Sequence, residues 1–413
     1  MQNWATRFED FKASFRSYKQ IKDSREKNRG LLVMKNMFKG YLAFLPELKS
    51  IELKKATICF DTSALLNIYR YPKNAADDFI RAIEYFKENI WLPYFVALEY
   101  QSNRVTVLQQ QARVFDELLG KSRKFKDDVL GLFSDKQHHS IPYGDVAHLV
   151  ERFDEEFRTF IESVKEKHPN YFRHDPVQIQ LMNLFDGRIG DIPSKDTLEI
   201  LYKEGEFRFE NKIPPGFKDA KNKEHEVKLY GDLIIKSKYA DFIIWHEILN
   251  QAKSTSRPII LVTDERKEDW CWKENNIILG ARPELVTEVS MKAGVDFRLI
   301  SSTQFISVAS KIRKISISKS TLADIEQSLS PSWKEFILQA FRAIGPIVKL
   351  EELYSWIEEN PLRALTANWK ATARKTIYYY CKERDLFLGK EILFEALDDS
   401  TYKLLPEHYH FLG

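Results

Sequence analysis

The chain has 413 residues, 63 basic and 60 acidic, for a formal net charge of +3, with 44% hydrophobic and 13% aromatic residues. This composition excludes a largely disordered chain and is long enough for two or three folded units. Cys59, Cys271 and Cys381 are far apart and odd in number, which argues against a disulfide framework or a Cys-based zinc site and for a reducing, cytoplasmic setting. There is no N-terminal apolar stretch of the kind that targets a chain for export, and no apolar run approaches the ~18 residues of a membrane span, so no membrane partner is expected.

Residues 1–50 carry aromatic residues at helical spacing (Trp4, Phe8, Phe11, Phe15) followed by a basic stretch, and are expected to form a helical arm. "ATICF" reads as a short buried strand that ends at Asp61, and "SALLNIYRY" continues with helical spacing up to Pro72. "DDFIRAIEYFKEN" is an amphipathic helix, "IWLP" a second short apolar piece, and "YFVALEYQSNRVTVLQQQARVFDELLGKSRKF" a long helix. Residues 120–230 are charged and mostly helical, interrupted by the Pro-Pro-Gly loop at 211–227. "KYADFIIWHEILNQAK" reads as a helix, "RPIILVTD" as a strand, and "ELVTEVSMKAGVDFRLIS" as helix, turn and strand. Strands alternating with helices predict an α/β fold around a mainly parallel sheet.

In such sheets ligands gather beyond the carboxyl ends of the strands. Two strands here end in an aspartate, Asp61 after "TICF" and Asp264 after "IILVT". A single aspartate in that position reads first as a helix cap. Two in equivalent places, with Glu99 and Asp241 leading otherwise apolar helices and Asp269 five residues beyond Asp264, suggest carboxylates sharing a cation. Oxygen donors without nearby His or Cys point to Mg²⁺ or Mn²⁺. The other motifs fit less well. Ser63 replaces the second aspartate of a haloacid-dehalogenase-like phosphatase, and Leu65 breaks the Asp-x-Ser-x-Ser of a von Willebrand-type metal site. No P-loop or dinucleotide fingerprint is present. His138, His139 and His174 read as surface histidines of the insertion.

"FDTSALLNIYRY", "ALEYQSNR", "IPPGFKDAK", "ADFIIWHEI" and "VTDERKEDW" together resemble the bacterial PIN-like nucleases, in particular the larger subgroup with a long helical insertion. The resemblance spans roughly residues 35–302. It implies a central parallel sheet and a Mg²⁺ or Mn²⁺ site built from Asp61, Glu99, Asp241 and Asp264, with Asp269 as a further metal ligand and the Lys218-Asp219 pair at a recurrent position of unsettled role. Thr62, Ser63, Arg104 and Lys218 are the expected nucleic-acid contacts. Ala240 stands where this subgroup often has Gly before the third acid, and "YGDLII" offers Asp232 as a rival preceded by that Gly. The implied reaction is metal-assisted hydrolysis of RNA or DNA.

The expected organisation is a helical arm (1–50), a PIN-like domain (51–305, with the helical insertion at about 105–230), a linker (306–330) and a small α+β unit (331–413). That last unit reads as three helices and a β-hairpin and resembles the winged helix-turn-helix modules fused to bacterial defence and restriction nucleases. Its third helix carries Lys370, Arg374 and Lys375 as candidate nucleic-acid contacts. A role in antiphage defence or as a toxin-like effector follows from resemblance alone. A partner protein or a second copy of the chain is an open possibility, as are a non-catalytic nucleic-acid-binding regulator and a docking scaffold.

Overall fold

Four short apolar runs account for the central sheet. β1 (Thr57–Phe60) and β5 (Ile259–Val262) are buried along their whole length, as strands covered on both faces must be. With β2 (Ile90–Trp91) and β8 (Phe297–Ile300) they form a parallel sheet in the order β2-β1-β5-β8. The register pairs Phe60 with Val262, so the residues that follow these two strands emerge side by side. From β1 the chain first turns to β2 on one side and later reaches β5 on the other. The β1/β5 carboxyl ends therefore form the crevice where strand order reverses, the usual ligand position in open α/β sheets.

The computed structural model describes residues 38–41, 48–135, 140–221, 223–274, 277–312, 315–318, 320–329, 331–362, 365–389 and 391–409. Most of the expected N-terminal arm, and His138 and His139, lie outside the described residues. His174 is exposed, as a surface histidine should be.

Helices α1 (Ser50–Lys55), α2 (Thr62–Asn67) and α3 (Lys73–Tyr85) surround β1. The insertion begins as one 42-residue helix, α4 (Tyr94–Asp135), and continues through α5 (Tyr143–Lys167), α6 (Pro176–Phe185) and α7 (Lys195–Glu210). Phe133 meets Tyr143, Phe125 meets Phe153, and Lys165 pairs with Asp116, so α4 and α5 run antiparallel as a long hairpin. α8 (Ala240–Thr255) starts with four consecutive buried residues, Phe242 to Trp245. Its first half is largely covered, its end (Asn250, Lys253 to Thr255) is exposed, and it joins the sheet to the insertion. α9 (Pro283–Ala293), α10 (Ser302–Ser310) and α11 (Thr321–Leu329) complete the main core, which runs from Leu53 to Ile325.

Several elements differ from the sequence expectation. An antiparallel hairpin, β3 (Val227–Tyr230) and β4 (Leu233–Lys236), occupies the end of the expected loop region. A second, β6 (Cys271–Glu274) and β7 (Ile277–Ala281), follows the Asp269 motif. β3 is almost wholly exposed, with Val227 and Leu229 in solvent, so its short alternation marks no buried face. Residues 321–329, expected in a linker, form α11. Ile325 is buried in the main core, and buried Asp78 of α3 accepts hydrogen bonds from Thr321 Oγ1 and from Ser318 N at 2.7 Å.

A separate apolar cluster is built by α12 (Trp333–Ile344), α13 (Leu350–Glu359) and α14 (Trp369–Tyr379) with a three-stranded antiparallel sheet. That sheet, in the order β10-β11-β9, consists of β9 (Ile347–Lys349), β10 (Phe394–Ala396) and β11 (Thr401–Leu404). β9, three residues between two helices, was not evident from the sequence pattern. Among the described residues no helix is long and apolar enough to cross a membrane.

Candidate functional site

Asp61 leaves β1 in extended backbone as the N-cap of α2, the conformation and residue type that this position favours. Its Oδ2 accepts from Ser63 Oγ at 2.6 Å and from Thr263 Oγ1, at the end of β5, at 2.9 Å. Burial lifts the Asp61 carboxyl above its ordinary range, these hydrogen bonds oppose the rise, and the charge of Glu265 adds to it. Asp61 thus serves as a cap at the crevice, half-buried as a residue.

Glu99 lies in the second turn of α4. The start of that helix is held by Glu247 of α8, which accepts from the amides of Tyr94 at 3.0 Å and Phe95 at 3.2 Å. A carboxylate suits the exposed amides of a helix N-terminus, and this one fixes where Glu99 emerges. Glu99 Oε2 accepts from Thr62 Oγ1 at 2.9 Å, which ties it to the residue beside Asp61. Its carboxyl is raised by burial first and then by the charge of Asp61, against the hydrogen bond from Thr62 and the charges of Lys223 and Lys228.

Asp241 occupies the first turn of α8. Burial pushes its carboxyl up to about 7; Lys267 and Lys223 oppose that rise, and Glu99 and Asp269 add to it. The loop against it includes Gly216 at φ +94°, where an added Cβ would stand 2.9 Å from Asp241 Cβ. Only glycine fits both that backbone and that clearance. The Gly216 amide and the Lys218 amide donate to Oδ2 of fully buried Asp269 at 3.0 and 3.2 Å. The other oxygen of Asp269, Oδ1, is buried with no hydrogen-bond partner among the described residues.

Asp61, Glu99, Asp241 and Asp269 therefore form a row in which the charge of Asp61 raises Glu99, and those of Glu99 and Asp269 raise Asp241. Asp232, the rival to Asp241, lies at the β3–β4 tip, 85% exposed and facing Lys195 at 3.3 Å, outside this row. Asp264, expected among the metal ligands, accepts hydrogen bonds on both carboxylate oxygens. Its Oδ1 accepts from the Ser302 amide at 3.0 Å, and its Oδ2 accepts from Ser302 Oγ at 2.8 Å and Asn67 Nδ2 at 2.9 Å. That carboxylate ties α2, β5 and α10 together, and its own amide donates to Ser63 Oγ at 3.2 Å.

The expected nucleic-acid contacts are engaged within the chain. The hydroxyls of Thr62 and Ser63 hold Glu99 and Asp61, and neither is directed at solvent. Arg104 turns inward to Asp175 at 2.6 Å, beside the Tyr69 hydroxyl that donates to the same carboxylate at 2.8 Å. A charged pair so enclosed serves the junction of α4 with α6 rather than a phosphate. Lys218 pairs with Glu268 at 3.1 Å.

Sequence reasoning missed Lys267. Its ammonium faces Glu265 at 2.9 Å and Asp219 at 2.5 Å, and its charge acts on Asp241. Lys223 also approaches Asp219, at 3.6 Å. Asp219 thus holds two cations next to the acidic row. "TDERKEDW" displayed Glu265 and Lys267, but nothing local showed that Lys267 reaches back to a loop 48 residues earlier.

The donor set suits a hard divalent cation, since it is carboxylate oxygen throughout. In the arrangement described, no three His, Cys, Asp or Glu side chains among the described residues close around a single ion. Of the four acids expected to share a cation, Asp61, Glu99 and Asp241 stand in an electrostatically coupled row with Asp269, and Asp264 is hydrogen-bonded to Ser302 and Asn67.

No curated protein and no solved structure matches the chain. A family profile described as "PIN like domain" matches residues 57–285, from the first residue of β1 into α9 and across Asp61, Glu99, Asp241, Asp264 and Asp269. That match covers more than half of the sequence, and the chain belongs to the PIN-like domain family.

Proposed function

We propose that the protein is a metal-dependent nuclease that hydrolyses phosphodiester bonds of RNA or DNA. The observation that carries this reading is the set Asp61, Glu99 and Asp241, three half-buried acidic residues near the β1/β5 crevice whose carboxyls are each held above their ordinary range mainly by burial. PIN-like domains are in general nucleases, which agrees with it. These three residues would hold Mg²⁺ or Mn²⁺, with Asp269 behind them. When bound, the ion supplies a deprotonated water and charge stabilisation for the displaced oxygen. Thr62, Ser63 and Thr263 orient the carboxylates, Asp264 fixes the frame, and Lys267 limits repulsion among the acids.

The C-terminal cluster, three helices and a small antiparallel sheet, resembles a winged helix and is proposed to recruit nucleic acid. Lys370, Arg374 and Lys375 are all exposed on α14. Lys370 is paired with Glu358 at 2.9 Å, a surface contact that costs little to exchange for a phosphate. The β10–β11 tip carries Asp398 and Asp399, so the contact is assigned to α14 and not to the tip. A cytoplasmic setting and a role in defence belong to the same proposal.

The test is a cleavage assay with Mn²⁺ on single- and double-stranded RNA and DNA, run beside Asp61→Asn and EDTA controls. Cleavage lost in both controls supports the reading. Binding without cleavage by the wild-type chain would instead identify a regulator that keeps the fold.

A further inference from the structure

Lys267 is held where two distant segments meet. Its ammonium lies 2.5 Å from Asp219, in the loop that follows the Pro-Pro-Gly turn, and 2.9 Å from Glu265, just beyond β5. Its charge also acts on Asp241 and Asp269. Glu265 in turn raises Asp61, so one carboxylate separates Lys267 from the first acid of the row. The other cations nearby are placed differently. Lys223 approaches Asp219 at 3.6 Å, Lys218 is paired with Glu268 at 3.1 Å, and Arg266 is exposed.

The acids here are satisfied in two different ways. Asp61 accepts from the hydroxyls of Ser63 and Thr263, and Glu99 from that of Thr62. A hydroxyl fills a lone pair but brings no positive charge. The charges of Lys223 and Lys228 reach Glu99 as well, and they rank behind that hydroxyl. Asp219 and Glu265, by contrast, are met by an ammonium in direct contact. Asp241 stands between the two groups, raised by Glu99 and lowered by Lys267.

Phosphodiester hydrolysis by two ions requires two cation positions side by side, each with carboxylate ligands of its own. Asp61 and Glu99 can supply one position. Asp219 and Glu265 could supply the other, with Asp241 shared, but that position already holds a cation. A compact ammonium in contact with both carboxylates keeps a divalent ion off the same oxygens by charge and by volume.

We infer that Lys267 takes the place of a second metal ion, so that the site holds one divalent cation per chain, at its Asp61–Glu99 end. The inference rests on the metal-dependent reading of the acidic row. Calorimetric titration of Mn²⁺ alone into the full chain, without nucleic acid, counts the ions, and circular dichroism confirms that each variant is folded. The wild type should bind one Mn²⁺, Lys267→Gln two, and Lys267→Arg one, because arginine restores the charge. Lys267→Met, which keeps the apolar stem and removes the charge, should bind two and serves if Lys267→Gln does not fold. A lysine that only braces the loop would alter stability and leave the count at one in every variant, so a single Mn²⁺ in the folded neutral variants would overturn the inference. Two Mn²⁺ in the wild type would also overturn it while leaving the metal site standing. No Mn²⁺ bound by the wild type would overturn the metal reading itself, and this inference with it.

Discussion

Replacing Gly216 by alanine tests how the loop at 214–218 shapes the acidic row. At φ +94° a Cβ is strained whatever the surroundings, at a cost of about 1–3 kcal/mol. The new methyl would also stand 2.9 Å from Asp241 Cβ and 3.2 Å from Phe209 Cζ. The first of these atoms sits on the helix backbone and cannot swing away, so either the loop or the start of α8 must shift. Overpacking of this kind costs about 1–3 kcal/mol. A loop shift would also weaken the Gly216 amide's bond to Asp269. The expected loss is about 2–5 kcal/mol in urea unfolding, together with weaker Mn²⁺ binding because Asp241 or Asp269 is displaced. Unfolding free energy within about 0.5 kcal/mol of wild type, with unchanged Mn²⁺ affinity, would refute this account of the loop.

Other consequences follow from the same geometry. Lys267→Gln removes the cation between Asp219, Glu265 and Asp241. The metal-free variant should melt lower, and Mn²⁺ should raise its melting temperature more than it raises that of wild type; equal shifts would show that Lys267 does not offset the row. Glu247, pushed up to about 7 by burial against the opposing hydrogen bonds from the Phe95 and Tyr94 amides, has a folded pKa above its unfolded value. Its contribution is fully present below about pH 4 and is lost as pH rises to about 7, by at most about 3 kcal/mol. Glu247→Gln should therefore give a shallower decline in urea stability between about pH 4.5 and 7.5, and an unchanged slope would contradict the assignment. Lys370→Glu/Arg374→Glu/Lys375→Glu should weaken nucleic-acid binding and flatten its salt dependence while leaving Mn²⁺ affinity intact. Equal binding would remove α14 from the interface.

What the sequence displayed was set by burial and by locality. β1 and β5 are covered on both faces, so they stand out as apolar runs, and the acids that follow them are conspicuous. β3 and β4 are short and β3 is almost wholly exposed, and their tip made Asp232 look like a rival because the Gly before it serves the turn, at φ +57°. The roles of Asp264 and Arg104 could not be read from the sequence. Their partners Ser302 and Asp175 lie 38 and 71 residues away, and the same residue types at a free surface would have faced a metal or a phosphate. Thr62 and Ser63 sat in the expected motif, yet only their hydrogen-bond partners show that they hold the acids.

The central claim is that Asp61, Glu99 and Asp241 hold a divalent cation at the β1/β5 crevice. Calorimetric titration of Mn²⁺ into the wild type and folded Asp61→Asn tests it most directly. Saturable binding by the wild type that is lost or weakened at least tenfold in the variant is the predicted result, and equal binding by both would contradict it.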